Sequence, residues 1–170
     1  DRKGRSAVMI DLNGTPRVAV RVPLGLDPVQ LREKSDGGQM FFTGPGLDAV
    51  VTLYPYKTEI GSSTLAGRAP GVMAVSSAPE YLFVANPPTG TVTILNVATQ
   101  RVMAVVDVGQ EPVHISVTPD NEYALVLNRV SGDMSIMHIP TLAGGRNKAA
   151  ALFTQVPVGS SPVSAAIRLG

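Results

Sequence analysis

The stretch Tyr81-Leu82-Phe83-Val84-Ala85-Asn86 decides the fold, because it recurs at a fixed distance in both directions. The chain reads Tyr123-Ala124-Leu125-Val126-Leu127-Asn128 after 42 residues, and Gln39-Met40-Phe41-Phe42-Thr43-Gly44 stands 42 residues before. Short runs rich in Val, Phe and Tyr are typical of buried β-strands. A fixed period of this length indicates a repeat protein whose unit is one supersecondary module.

A Gly-x-x-Pro tetrapeptide follows the same period, with intervals of 42, 42 and 50 residues. Its glycines are Gly25, Gly67, Gly109 and Gly159, and its prolines are Pro28, Pro70, Pro112 and Pro162. Each unit between these tetrapeptides contains four apolar runs, strands a to d, which are separated by turn sequences such as Thr118-Pro119-Asp120-Asn121. Four strands in about 40–45 residues is the size of one propeller blade. The sequence therefore predicts an all-β fold, a β-propeller of four-stranded antiparallel blades.

The period also divides the chain, which we treat as one propeller domain over residues 1–170. Residues 7–25 supply strands c and d of a partial blade. Full blades follow at 26–67, 68–109 and 110–159, the last with an insertion at 142–149 between strands c and d, and residues 160–170 supply strand a of a further blade. We expect a partial ring of 3.5 to 4 blades, either a portion of a longer propeller or half of a ring closed by two copies; a small closed ring is the alternative. Bare strand edges and apolar flanks predict self-association or a companion propeller segment.

Composition excludes several function classes. The sequence has no cysteine, which excludes disulfides, zinc–thiolate sites and cysteine nucleophiles. A net charge of +1 argues against nucleic-acid binding. No apolar run approaches the roughly 18 residues of a membrane span. No nucleophile elbow or phosphate-binding loop is present, and we expect no metal ion and no cofactor.

One repeat position carries a conformational prediction. The last residue of strand b is Gly44, Asn86 or Asn128 in successive units. Glycine and asparagine both tolerate positive φ, so we predict a left-handed backbone at all three positions.

The segments Phe83-Val84-Ala85-Asn86 and Leu125-Val126-Leu127-Asn128 resemble the Tyr-Val-Thr-Asn element of YVTN-type β-propeller repeats. The resemblance implies a propeller, often seven-bladed, in an exported, periplasmic or cell-surface protein. It implies no single activity, since one fold hosts many functions. YVTN-like propellers resemble lactonases and also subunits of quinoprotein or haem-dependent oxidoreductases.

Departures from the repeat point to candidate sites near the ring axis. His114 lies on an inner strand where the other units carry Gln, Val or Ser, and Arg32-Glu33-Lys34 places charges where the other units are small or apolar. Lining a central channel, His114, Arg32 and Glu33 would bind a polar ligand or begin a catalytic site. The alternatives are a histidine packed between blades and a solvated cluster of ion pairs.

A second set of candidates lies on the loops that share the end of the propeller where strand a begins, which we call the top face. The loops preceding strand a present Asp27, Arg68 and Glu111, and the loop between strands b and c presents Arg129. Mixed charge on a grooved face suits contact with a protein, a peptide or a small polar ligand. The sequence thus favours a non-catalytic binding or surface scaffold, and the alternative is a fragment of a propeller enzyme with a site in the channel.

Overall fold

The computed structural model describes residues 3–78, 80–143 and 152–159. Within these ranges the chain forms 14 β-strands, one short helix α1 (Ile139–Ala143) and one 3₁₀ turn (Pro87–Thr89). The strands form one two-stranded and three four-stranded antiparallel sheets, each built from consecutive strands.

The sheets are numbered as blades in chain order. Blade 1 contains β1 (Ser6–Asp11) and β2 (Arg17–Pro23). Blade 2 contains β3 (Gln30–Glu33), β4 (Met40–Thr43), β5 (Ala49–Tyr54) and β6 (Glu59–Leu65). Blade 3 contains β7 (Met73–Val75), β8 (Tyr81–Asn86), β9 (Thr91–Asn96) and β10 (Arg101–Asp107). Blade 4 contains β11 (Pro112–Val117), β12 (Tyr123–Asn128), β13 (Asp133–His138) and β14 (Leu152–Pro157).

A separate apolar core fills each space between neighbouring blades. Strand β8 shows how one strand serves two cores. Tyr81, Phe83 and Ala85 pack toward blade 4, whereas Leu82 and Val84 pack toward blade 2. The strand is buried on both faces, which explains why its sequence is apolar throughout rather than alternating. The third core joins blades 1 and 2 through residues such as Leu26 and Leu53.

The short inner strand β7 contacts β3 on one side and β11 on the other. Sheets whose inner strands lie side by side and whose faces are buried against each other form the fan of a β-propeller. The predicted fold is confirmed, and the chain forms a partial propeller. In blade 4, β12 coincides with the recurrent segment Tyr123–Asn128 from which the repeat was recognised.

The prediction of left-handed backbone at Gly44, Asn86 and Asn128 is wrong. None of the three has a positive φ, and Asn86 has an extended φ of −118°. The asparagines are selected by their side chains: the Asn86 amide donates to the hydroxyls of Thr91 (3.2 Å) and Thr93 (2.9 Å). The Asn128 amide likewise donates to Asp133 and Ser135. Two residues in the loops before strand a do have a left-handed backbone, Ala69 (φ 48°) and Glu111 (φ 56°).

Some expectations concern residues outside the described ranges. These are Pro162, the predicted strand a at 160–170, and the 144–149 part of the insertion. The first residues of the insertion belong to α1, whose Leu142 is buried in the core between blades 3 and 4.

Candidate functional site

The loop that precedes β11 is held between the b–c loops of two blades. Its Val108 N–H donates to the Gly90 carbonyl of blade 3 (2.8 Å). Its Gln110 and Glu111 carbonyls accept from the N–H groups of Val130 (3.1 Å) and Arg129 (3.0 Å) in blade 4. These backbone bonds fix the position of the loop on the top face.

A groove of about 710 Å³ opens beside this loop. One wall is the 3₁₀ turn with Pro87 and Pro88, and the rest of the lining is mostly polar. The remaining lining residues are Thr89, Gly90, Asp107, Val108, Gln110, Glu111 and Arg129. The groove thus combines flat apolar proline rings with carboxylates, a guanidinium and an amide, a mixture common at ligand-binding surfaces.

Two of the sequence-predicted residues meet in this groove. The Arg129 Nε donates to Glu111 Oε2 at 3.0 Å, and its Nη2 donates to the second carboxylate oxygen. This fork-to-fork pair fixes the orientation of both side chains. Because the Arg129 side chain is largely exposed, the pair stabilises the fold by no more than about 1 kcal/mol. Its effect is to present an ordered pair of charges at the groove.

Asp107 is a groove residue that the sequence analysis missed. It is the exposed last residue of β10, and among the described residues it forms no ion pair or hydrogen bond through its side chain. The period gives the signal that was overlooked: the equivalent residue one unit earlier is Leu65. With Asp107, Glu111 and Arg129 together, the groove carries one net negative charge.

The other two top-face candidates lie elsewhere. Asp27 forms an ion pair with Arg5 near blade 1, with 3.5 Å between Arg5 Nε and Asp27 Oδ1. Arg68 lines a separate shallow groove of about 330 Å³ between blades 2 and 3, next to Leu65 and Val105. The structure therefore brings together Glu111 and Arg129 but not Asp27 and Arg68.

The charged triplet on β3 and just after it ties blade 2 to blade 3. The Arg32 Nε donates to the Met73 carbonyl of β7 at 2.7 Å. Lys34 Nζ lies 2.6 Å from Asp36 and 3.2 Å from Glu80 of blade 3. The Lys34 ammonium donates hydrogen bonds to both carboxylates. These bonds, the one to Asp36 more than the one to Glu80, raise the pKa of Lys34 above its usual 10.5. Glu33 is exposed.

His114 is exposed on β11. His114, Arg32 and Glu33 line none of the five main grooves in the described part of the chain. A depression of about 330 Å³ does lie at the inner ends of the blades, lined by Gln30 and by Pro45, Pro70, Pro87 and Pro112. Gln30 supplies the longest polar side chain of this depression. Over residues 3–78, 80–143 and 152–159, no three imidazole or carboxylate groups gather as a metal site would require.

Comparison with known proteins supports the fold. The sequence matches no protein-family model and no curated protein. Among solved structures, a Desulfotomaculum acetoxidans protein of unknown function aligns over 92% of this chain and 51% of its own, with 16% identity and a TM-score of 0.76. Hydrazine synthase of Kuenenia stuttgartiensis aligns over 78% of this chain and 37% of its own (18% identity, TM-score 0.65).

The periplasmic gluconolactonase of Pseudomonas aeruginosa aligns over 83% of this chain and 42% of its own, with 18% identity and a TM-score of 0.60. This chain therefore spans between about a third and a half of the length of these structures. Identities this low establish a shared fold. The chain therefore has the fold of a β-propeller protein.

Proposed function

We propose that this propeller is a non-catalytic binding module that holds an extended, lysine-bearing peptide segment of a partner protein in the groove beside Glu111 and Arg129. The observation that carries the proposal is that Asp107, Glu111 and Arg129 line one groove with a proline wall. The candidates for channel chemistry, in contrast, line none of the main grooves in the described ranges.

The chemistry of the groove favours this class of ligand. Glu111 is already paired with Arg129, so Asp107 is the carboxylate left available to a cation. A lysine or arginine of a ligand would gain a charge-assisted contact there. Pro87 and Pro88 offer rigid apolar surface that binds without losing side-chain entropy. Thr89 and Gln110 add hydrogen-bonding groups for a peptide backbone.

Fluorescence anisotropy with three labelled decapeptides tests this function. The peptides share a Gly-Ser-Pro frame and differ in two central residues, which are Lys, Ala or Glu. We expect the Lys peptide to bind most tightly, and we expect Asp107→Asn to weaken it about fivefold, as a surface charge contact of up to about 1 kcal/mol implies.

Glu59→Gln is the matched control. It removes the same charge from an exposed residue at the start of β6, outside the groove, and should leave binding unchanged. Equal affinity for the three peptides, or an equal effect of the two variants, would overturn the proposed function.

The alternative function is that of a fragment of a propeller enzyme. It is favoured by the fold shared with a gluconolactonase, and its site would be the depression at the inner blade ends. That depression offers Gln30 and four prolines, which supply neither a general base nor a nucleophile. The test is the hydrolysis of glucono-δ-lactone, measured through the proton that the product acid releases. We expect the protein not to accelerate this reaction. An acceleration lost in Gln30→Ala would favour the enzyme instead.

We also propose an exported location, in line with the periplasmic origin of one protein of the same fold. In the described part of the chain, no helix has the length and apolar character needed to cross a bilayer.

A further inference from the structure

Three equivalent inner-strand residues differ sharply in burial. Leu31, Met73 and Ile115 are spaced by 42 residues and lie on β3, β7 and β11. Met73 is 0% exposed and Ile115 is 3% exposed, but Leu31 is 47% exposed. The same repeat position is therefore covered in blades 3 and 4 and uncovered in blade 2.

The residues that cover Met73 and Ile115 show which contact Leu31 of blade 2 lacks. Met73 belongs to the core in which Phe41 of β4 packs from the preceding blade. Ile115 belongs to the core in which Ala74 and Phe83 pack from β7 and β8. In both cases the aromatic residue of strand b in the preceding blade belongs to the core that covers the inner strand. Blade 1 contains two strands in the described part of the chain, and these occupy the places of strands c and d.

An open apolar groove lies where strands a and b of blade 1 would run. It has a volume of about 520 Å³ and extends between β1 and the exposed side of β3 and β4. Its apolar lining includes Met9, Ile10, Val29, Leu31, Met40 and Phe42. Among the residues that the structure describes, β1 pairs with β2 alone, so its other edge offers backbone groups to a further strand.

We propose that this groove binds an antiparallel β-hairpin of a companion propeller segment, whose second strand pairs with β1 and whose aromatic side chain covers Leu31. The pairing repeats that of β8 with β9, and the buried aromatic repeats the position of Phe41 and Phe83. The site continues the interfaces already formed between blades 2 and 3 and between blades 3 and 4. This chain covers 37% and 51% of the two propeller structures compared above, so those propellers contain segments beyond the part that aligns with it. Main-chain pairing would give affinity and the apolar pocket specificity.

A labelled synthetic peptide of residues 69–88, the hairpin of blade 3, is the probe. It is titrated into the 170-residue protein, and hydrogen–deuterium exchange is followed on residues 6–11. We expect saturable 1:1 binding, slower exchange of β1 amides on the edge away from β2, and at least tenfold weaker binding to Leu31→Lys. Because Leu31 is exposed, this variant should fold, which circular dichroism checks.

Tyr56→Lys is the matched control, since Tyr56 is 84% exposed in the turn between β5 and β6 and should not affect the hairpin. Absence of binding, or equal binding to Leu31→Lys, would refute the proposal. Sedimentation of the protein alone tests whether a second copy of the chain fills the groove instead. A dimer that Leu31→Lys dissociates would show this and would also refute the proposal.

Discussion

The side-chain amide of Asn86 occupies the space beside Gly67: a Cβ atom on Gly67 would lie 2.7 Å from Cγ and Nδ2 of Asn86. The next unit repeats the relationship, with Asn128 Nδ2 2.6 Å from a Cβ on Gly109. In blade 2 the relationship is inverted, because Gly44 replaces the asparagine and the Asp27 carbonyl oxygen fills the space. Each loop preceding strand a is thus fitted against the end of strand b in its own blade.

Gly67→Ala should lower the free energy of unfolding by about 2–4 kcal/mol. The added methyl group would overlap the Asn86 amide, and Gly67 has a φ of 119°, which disfavours a side chain. Urea unfolding measures the change. Gly159→Ala is the control, since a Cβ there meets no atom within 4 Å and should change stability by less than about 0.5 kcal/mol. Equal stability of the two variants would show that the fit at Gly67 is unimportant.

Ala69→Gly should stabilise the protein by about 0.5–1 kcal/mol. Ala69 is exposed and has a φ of 48°, a conformation that costs an alanine about 1–2 kcal/mol and a glycine little. Thermal unfolding followed by circular dichroism measures the gain. Ala98→Gly in the exposed turn before β10 is the control, where ordinary φ makes glycine destabilising. A loss of stability in Ala69→Gly would contradict the assigned loop conformation.

The bridge from Lys34 to Asp36 and Glu80 should make stability depend on pH at both extremes. The Lys34 ammonium lowers the pKa of Asp36 below 3.8, as does the Gly38 N–H, and its carboxylate partners raise the pKa of Lys34 above 10.5. The contribution of Asp36 is present above pH 3.8 and is lost as pH falls through its lowered pKa. The contribution of Lys34 is present below pH 10.5 and is lost as pH rises through its raised pKa.

Lys34→Met therefore should differ most from the wild type in urea midpoint between these two values, and the difference should shrink beyond either one. High salt should also reduce it, because the Asp36 side chain is more than half exposed and salt screens exposed charges. A difference that is constant with pH would mean that Lys34 contributes through its aliphatic stem alone.

The sequence predicts the sheets well and the site only in part. The strands are visible because burial on two flanks makes runs such as Tyr81–Asn86 apolar, and the 42-residue period aligns them. The role of Asn86 was misjudged because its partner Gly67 lies 19 residues away, and no local pattern shows that a side chain fills another loop. Asp107 was missed because a carboxylate at a strand end is ordinary until its neighbours are known.

The exposure of Leu31 is another feature that depends on what lies beside a blade rather than on its own residues. The period shows that Leu31, Met73 and Ile115 are equivalent, and only the arrangement of blades shows that two of them are covered. This difference follows from the central claim that each inner strand is buried by the blade before it.

The free energies of unfolding of Leu31→Ala, Met73→Ala and Ile115→Ala, measured in urea, test that claim most directly. Truncating the buried Met73 or Ile115 should each cost about 2–4 kcal/mol, whereas truncating the half-exposed Leu31 should cost less than about 1 kcal/mol. Equal losses at the three positions would contradict the claim that each inner strand is buried by the blade before it.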